Sequence, residues 1–91
     1  MDYKRLPGGD LILQGLNDLA AGRESVAALL VAVGAPRLRR AGIGVPSQGL
    51  DRAEHRLYEL LARDHPDSAH SRYNALIRRL VSFERACECG S

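Results

Sequence analysis

A single all-α domain, a compact bundle of four main helices plus one short connector helix, is what three features of the sequence predict. Apolar residues recur at three- and four-residue intervals through most of the chain, glycine or proline punctuates each such segment, and no two strand-like runs are available to pair. At 91 residues the chain is too short to share its apolar side chains between two cores, so residues 1–91 are expected to form one unit.

Taken in order, residues 1–7 read as an extended lead-in. Gly8-Gly9 precedes Asp10, whose carboxylate is expected to cap a helix over about Leu11 to Ala21. Ile12, Leu16, Leu19 and Ala20 share one face of it, and Gly22 supplies a left-handed exit. Gly15 lies inside this helix, where it either weakens the helix by roughly 1 kcal/mol or, the reading favoured here, lets a neighbouring backbone approach closely. A second helix over about Glu24 to Val33 is apolar on every side from Val26 onward, and such a helix must be surrounded. Gly34 ends it, and Pro36 suits the first turn of a short helix carrying Arg37, Leu38, Arg39 and Arg40. An irregular connector with Gly42, Gly44 and Pro46 then reaches about Gln48.

From about Leu50 to Arg63, Leu50, Ala53, Leu57, Leu60 and Leu61 form one apolar face, opposed by Arg52, Arg56, Glu59 and Arg63. His65-Pro66-Asp67 breaks the chain, and Asp67 or Ser68 is placed to cap the last and longest helix, which spans the molecule from about Ser68 to Glu88. Residues 89–91 are expected to fray. The apolar positions of this helix, Tyr73, Leu76, Ile77, Leu80, Val81, Phe83 and Cys87, cover roughly 160° of its circumference, more than the ~100° one packing partner needs. It should therefore pack on two sides, and Tyr73, Ile77, Leu80, Val81 and Glu84 are the candidate interface. Glu84 interrupts the apolar arc. A buried carboxylate without a partner is costly, so an arginine from another helix or another chain should pair with it, with Arg56 or the 37–40 cluster as donor.

The charge balance excludes binding to nucleic acid or an anionic membrane driven by bulk charge and leaves only a local patch for it. Thirteen basic and eleven acidic residues leave a net +2, and 26% charged against 45% hydrophobic residues describes an ordinary globular chain. The longest apolar run, Val26 to Val33, falls far short of the roughly 20 residues of a membrane span. Asp10, Gln14 and Asn17 interrupt the apolar stretch a secretory leader would need, and the two cysteines, Cys87 and Cys89, form no disulfide framework. The cytoplasm is the expected compartment, with no membrane partner.

Residues 23–49 carry four arginines against Glu24 alone, a net +3. Arg37, Arg39 and Arg40 are the candidate phosphate-binding residues, aided by glycine-rich backbone amides. The plainer reading has them bond helix-end carbonyls and acidic side chains. A helix-turn-helix over Glu24 to Ile43 fails because Arg40 stands where an apolar residue should pack and Gly42 ends the second helix too early. His55, His65, His70, Cys87 and Cys89 lack the close pair spacing of a structural zinc site, apart from Cys87-x-Cys89 near the end of the chain. Arg63 and His70 are similar in spacing to the arginine and histidine of small helical ribonucleases of the HEPN type. That family keeps both on one helix, which Pro66 interrupts here, so no catalytic role follows. No catalytic constellation is found, and no cofactor or metal is expected. Two functions remain: an interaction or regulatory module that self-associates or binds a protein through its C-terminal helix, or a binder of nucleic acid or a phosphate ligand through Arg37, Arg39 and Arg40.

Overall fold

A computed structural model describes residues 3–46 and 52–90. Five helices occur among them, α1 (Gly9–Ala20), α2 (Val26–Val33), α3 (Ala35–Arg40), α4 (Ala53–Asp64) and α5 (Ala69–Gly90), preceded by a 3-10 turn at Tyr3–Arg5. No strand is present among the described residues, so the all-α bundle of four longer helices and one short one stands.

The eight residues of α2 are the centre. Ala28, Leu29, Leu30 and Val31 are each 0% exposed, as a helix without a polar side requires. Each leucine or valine so buried contributes about 1.5–3 kcal/mol of transfer free energy. α1 and α4 supply most of the cover, and α5 closes the remaining side. From α1 come Ile12 and Leu19, from α4 Ala53, Leu57 and Leu61, and from α5 Leu80, Phe83 and Cys87. At about 1.5 Å per residue the 22 residues of α5 extend some 33 Å. That length is comparable to the 38 Å longest dimension of the molecule.

The ends of the helices follow local chemistry. Ser25 is the N-cap of α2: its hydroxyl oxygen accepts from the Ala28 N–H at 3.0 Å and its O–H donates to Asp18 Oδ2 at 2.7 Å, which ties the start of α2 to the end of α1. α2 thus begins at Val26 rather than Glu24. Gly22 makes the left-handed exit at φ 73°. Pro36 sits in the first turn of α3. After Pro66 the chain turns into α5, whose first bond runs from the Arg72 N–H to the Ser68 carbonyl. Leu50 and Gln48, expected at the start of α4 and the end of the connector, lie outside the described residues. α4 is described from Ala53.

Three local expectations are corrected. Asp10 does not cap α1, because the helix begins two residues earlier, at Gly9, and Gly8 takes the N-cap position with no side-chain bond. From Tyr3 onward the lead-in is not extended. Leu6 N–H donates to the Tyr3 carbonyl, Gly9 N–H donates to that of Leu6, and the Tyr3 ring meets Phe83 edge-on at 5.9 Å, so aromatic burial folds the segment back. Finally, α5 runs to Gly90, past the Glu88 end read from the sequence, with buried Phe83 and Cys87 in its last turns, and Ser91 lies outside the described residues.

Gly15 has the role its position suggests. A Cβ there would lie 2.3 Å from the Ala27 carbonyl oxygen and 2.5 Å from Val31 Cγ2. The nearest obstacle is backbone and cannot rotate away. We therefore expect Gly15→Ala to lower stability by about 1–3 kcal/mol, overriding the roughly 1 kcal/mol that alanine adds to helix propensity. Urea unfolding checks this, and a variant as stable as the parent or more stable contradicts the close approach.

Candidate functional site

Two places on α5 concentrate chemistry. The first is Glu84, 4% exposed and the one buried charged residue among those described. α3 follows α2 after the single residue Gly34 and delivers Arg37 to it: Arg37 Nε lies 3.0 Å from Glu84 Oε2, and one of its terminal nitrogens lies 3.4 Å from Glu88 Oε1, one turn further along α5. The expected pairing of Glu84 is therefore found within one chain, with the 37–40 cluster as donor. Arg56, the other candidate, pairs instead with Glu24. The Arg37 contact is one of charge without hydrogen-bond alignment, and Glu84 Oε2 is buried with no hydrogen-bond partner among the described residues. Burial pushes the Glu84 carboxyl up, Arg37 pulls it down and Glu88 pushes it up again, for a net rise. Burial, then Glu84 and Glu88, raise the Cys87 thiol in the same way, which suppresses the thiolate a nucleophile would need.

The other two arginines of the cluster diverge. Arg39 donates from a terminal nitrogen to the Val45 carbonyl at 3.1 Å and pins the connector, while Arg40 is exposed and makes no ion pair among the described residues. The candidate interface is likewise divided. Leu80 and Glu84 are buried in the chain's own core, and Leu80 lies against Gly34. Tyr73 meets Tyr58 with ring centroids 5.8 Å apart, and Tyr58 is the one exposed large apolar side chain among those described. Tyr73 and Ile77 pack half-buried at the edge of the core, and Val81 is half-buried. The two-sided packing of the last helix is thus largely met within the chain.

The histidines stay apart. His55 pairs with Glu59 at 2.6 Å, and His70 Nε2 lies 3.2 Å from the Asn74 amide nitrogen. Among the described residues no three His, Cys, Asp or Glu side chains are grouped to hold a metal ion. Arg63 and His70 stand on separate helices.

The second place was not singled out from the sequence. Where α4 and α5 diverge from the start of α2, a hollow of ≈ 380 Å³ opens to solvent. Val26, Leu60, Leu61, Ala75 and Leu76 line its apolar part. Arg72 and Arg79 stand along the α5 side, and Asp64 and His65 at the end of α4. The signal available in sequence was the excess width of the α5 arc, whose edge holds Leu76.

With this geometry in hand, the chain matches no protein-family model, no curated protein and no solved structure.

The Glu84 pair has asymmetric consequences. Arg37 is 49% exposed at its side chain and Glu84 4%, so losing the carboxylate frees an arginine that reaches water, whereas losing the arginine strands a buried carboxylate. Glu84→Ala should then cost well below the roughly 3 kcal/mol of a pair whose surviving partner stays buried. Arg37→Ala should cost about 1–3 kcal/mol at about pH 7. The folded state holds the Glu84 proton more tightly than the unfolded chain. Its contribution is thus fully present below the unfolded carboxyl's pKa and is lost as pH rises through the raised folded value. The Arg37→Ala deficit should therefore shrink at about pH 5, and adding Glu84→Gln should recover most of it. Denaturant melts at both pH values test this; equal deficits with no recovery contradict it.

Proposed function

We propose that this chain is a protein-interaction module that presents α5, and the hollow beside it, to a partner. The observation that carries the reading is the ≈ 380 Å³ opening with an apolar floor and arginines along one edge. Its size matches that of binding clefts, and convergent polar groups at the edge of an apolar floor are what orient a ligand. In this reading the contact surface is centred on Leu60, Ala75 and Leu76 rather than on Leu80 and Glu84, which the chain's own core uses. Self-association through the same face is the other form of the reading. No described helix is long and apolar enough to cross a membrane, and the proposal sets the module in the cytoplasm. Phosphate binding by Arg37, Arg39 and Arg40 has less support, because Arg37 and Arg39 would have to release Glu84 and Val45 first.

A photo-crosslinking residue in place of Ala75, which is exposed in the hollow, tests the surface against one in place of Arg85, which is exposed but not part of it. In extract of the source cells we expect an adduct of one defined mass at position 75 and none at 85. Equal adducts at both positions, or none at 75, would overturn the proposal.

A further inference from the structure

Resting on the interaction reading, we infer that the hollow between α4 and α5 takes an amphipathic helix of a partner protein, with acidic residues on the edge that faces α5. The α5 side of the hollow is formed by Arg72, Ala75, Leu76 and Arg79, a strip with the i, i+3, i+4, i+7 spacing of one helix face. Arg72 and Arg79 therefore stand two turns apart, about 10.5 Å along the axis, with apolar surface between them.

Both guanidiniums are accessible to a new partner. Arg79 approaches Asp10 only at 3.7 Å, and their side chains are 50% and 82% exposed, so exchanging that contact for another costs little. Arg72 gives its Nε to Ser68 Oγ at 3.0 Å and forms no ion pair among the described residues. Across the hollow the sign reverses at Asp64, with His65 beside it. An occupant thus meets a positive wall and a negative corner over an apolar floor. The matching ligand has carboxylates on one edge, neutral or cationic groups on the other and an apolar stripe between them.

Spacing selects the conformation of that ligand. Residues i and i+7 of a helix lie on one face about 10.5 Å apart, which repeats the backbone separation of Arg72 and Arg79. Same-face residues of an extended strand lie about 6.7 or 13.4 Å apart, and neither value matches. An apolar floor and an acidic corner also suit a helix better than a phosphate backbone, which neutralises basic side chains and leaves leucines uncovered.

The test uses two synthetic peptides of about fifteen residues, both helix-forming, with the same leucine stripe. One carries glutamates along one edge at i and i+7, and the other carries lysines there. Binding to the whole chain is followed by amide chemical shifts and titration. We expect shifts at Leu60, Ala75 and Leu76, about tenfold tighter binding of the acidic peptide, and loss of that advantage at high salt. The double variant Arg72→Glu, Arg79→Glu should reverse the preference. Arg72→Gln with Arg79→Gln, a milder change should the reversal impair folding, should erase the preference without reversing it.

Equal affinity for the two peptides, binding of neither at millimolar concentration, or shifts centred elsewhere would overturn the inference. So would a concentration-dependent dimer in sedimentation that the arginine variants dissolve, since a second copy would then be the occupant. Crosslinking at position 75 without any peptide preference would overturn the acidic helix alone, whereas failure of both experiments would remove the interaction reading as well.

Discussion

A helix with no polar side admits one arrangement: something apolar must stand against every face. α2 imposes that demand, and the other elements answer it. The chain turns tightly after Gly22 so that α1 can lie along α2, and the Ser25 hydroxyl joins Asp18 to the first turn of α2. Gly15 removes the side chain that would hold α1 away from the Ala27 carbonyl. On the far side, Leu80 of α5 reaches Gly34, where the missing side chain again lets the helix settle close. A six-residue helix such as α3 has no stability of its own. It exists because α2 ends beside α5, with Ala35 and Leu38 buried in the shared core.

The Glu84 contact belongs to the same logic. Arg37 extends from α3 to two carboxylates one turn apart on α5, and so fastens the shortest helix to the longest. Such a pair is weak evidence for stability, since desolvation offsets much of the attraction. The pair sits in the C-terminal part of α5, whereas the hollow lies beside residues 72–79 of the same helix. The two sites therefore make separate demands on α5.

Much of this was legible in sequence, and the reasons are local. An unbroken apolar run from Val26 to Val33 can only be central. A glycine within a helical pattern signals close approach, Pro36 marks a first turn, and Pro66 ends α4 before α5 begins. A lone glutamate in an apolar arc requires a cation. What failed was what depends on neighbours far along the chain. Asp10 has the chemistry of a cap, but the folded-back Tyr3 segment starts α1 two residues earlier. Arg37 and Arg56 were indistinguishable as partners until the path of α3 was known. The hollow was hidden for a related reason: periodicity gives the width of an apolar arc, but not which edges of two arcs, here Leu60 and Leu76, end up facing one another.

Native-state hydrogen exchange tests the central place of α2 most directly. If the bundle is built around it, the amides of Leu29, Leu30 and Val31 exchange only when the whole molecule unfolds, with a protection free energy equal to the global stability from denaturant melts. Those amides should be the slowest in the chain, ahead of α4 and α5. Slowest exchange in α5, with α2 opening at lower free energy, would contradict the account.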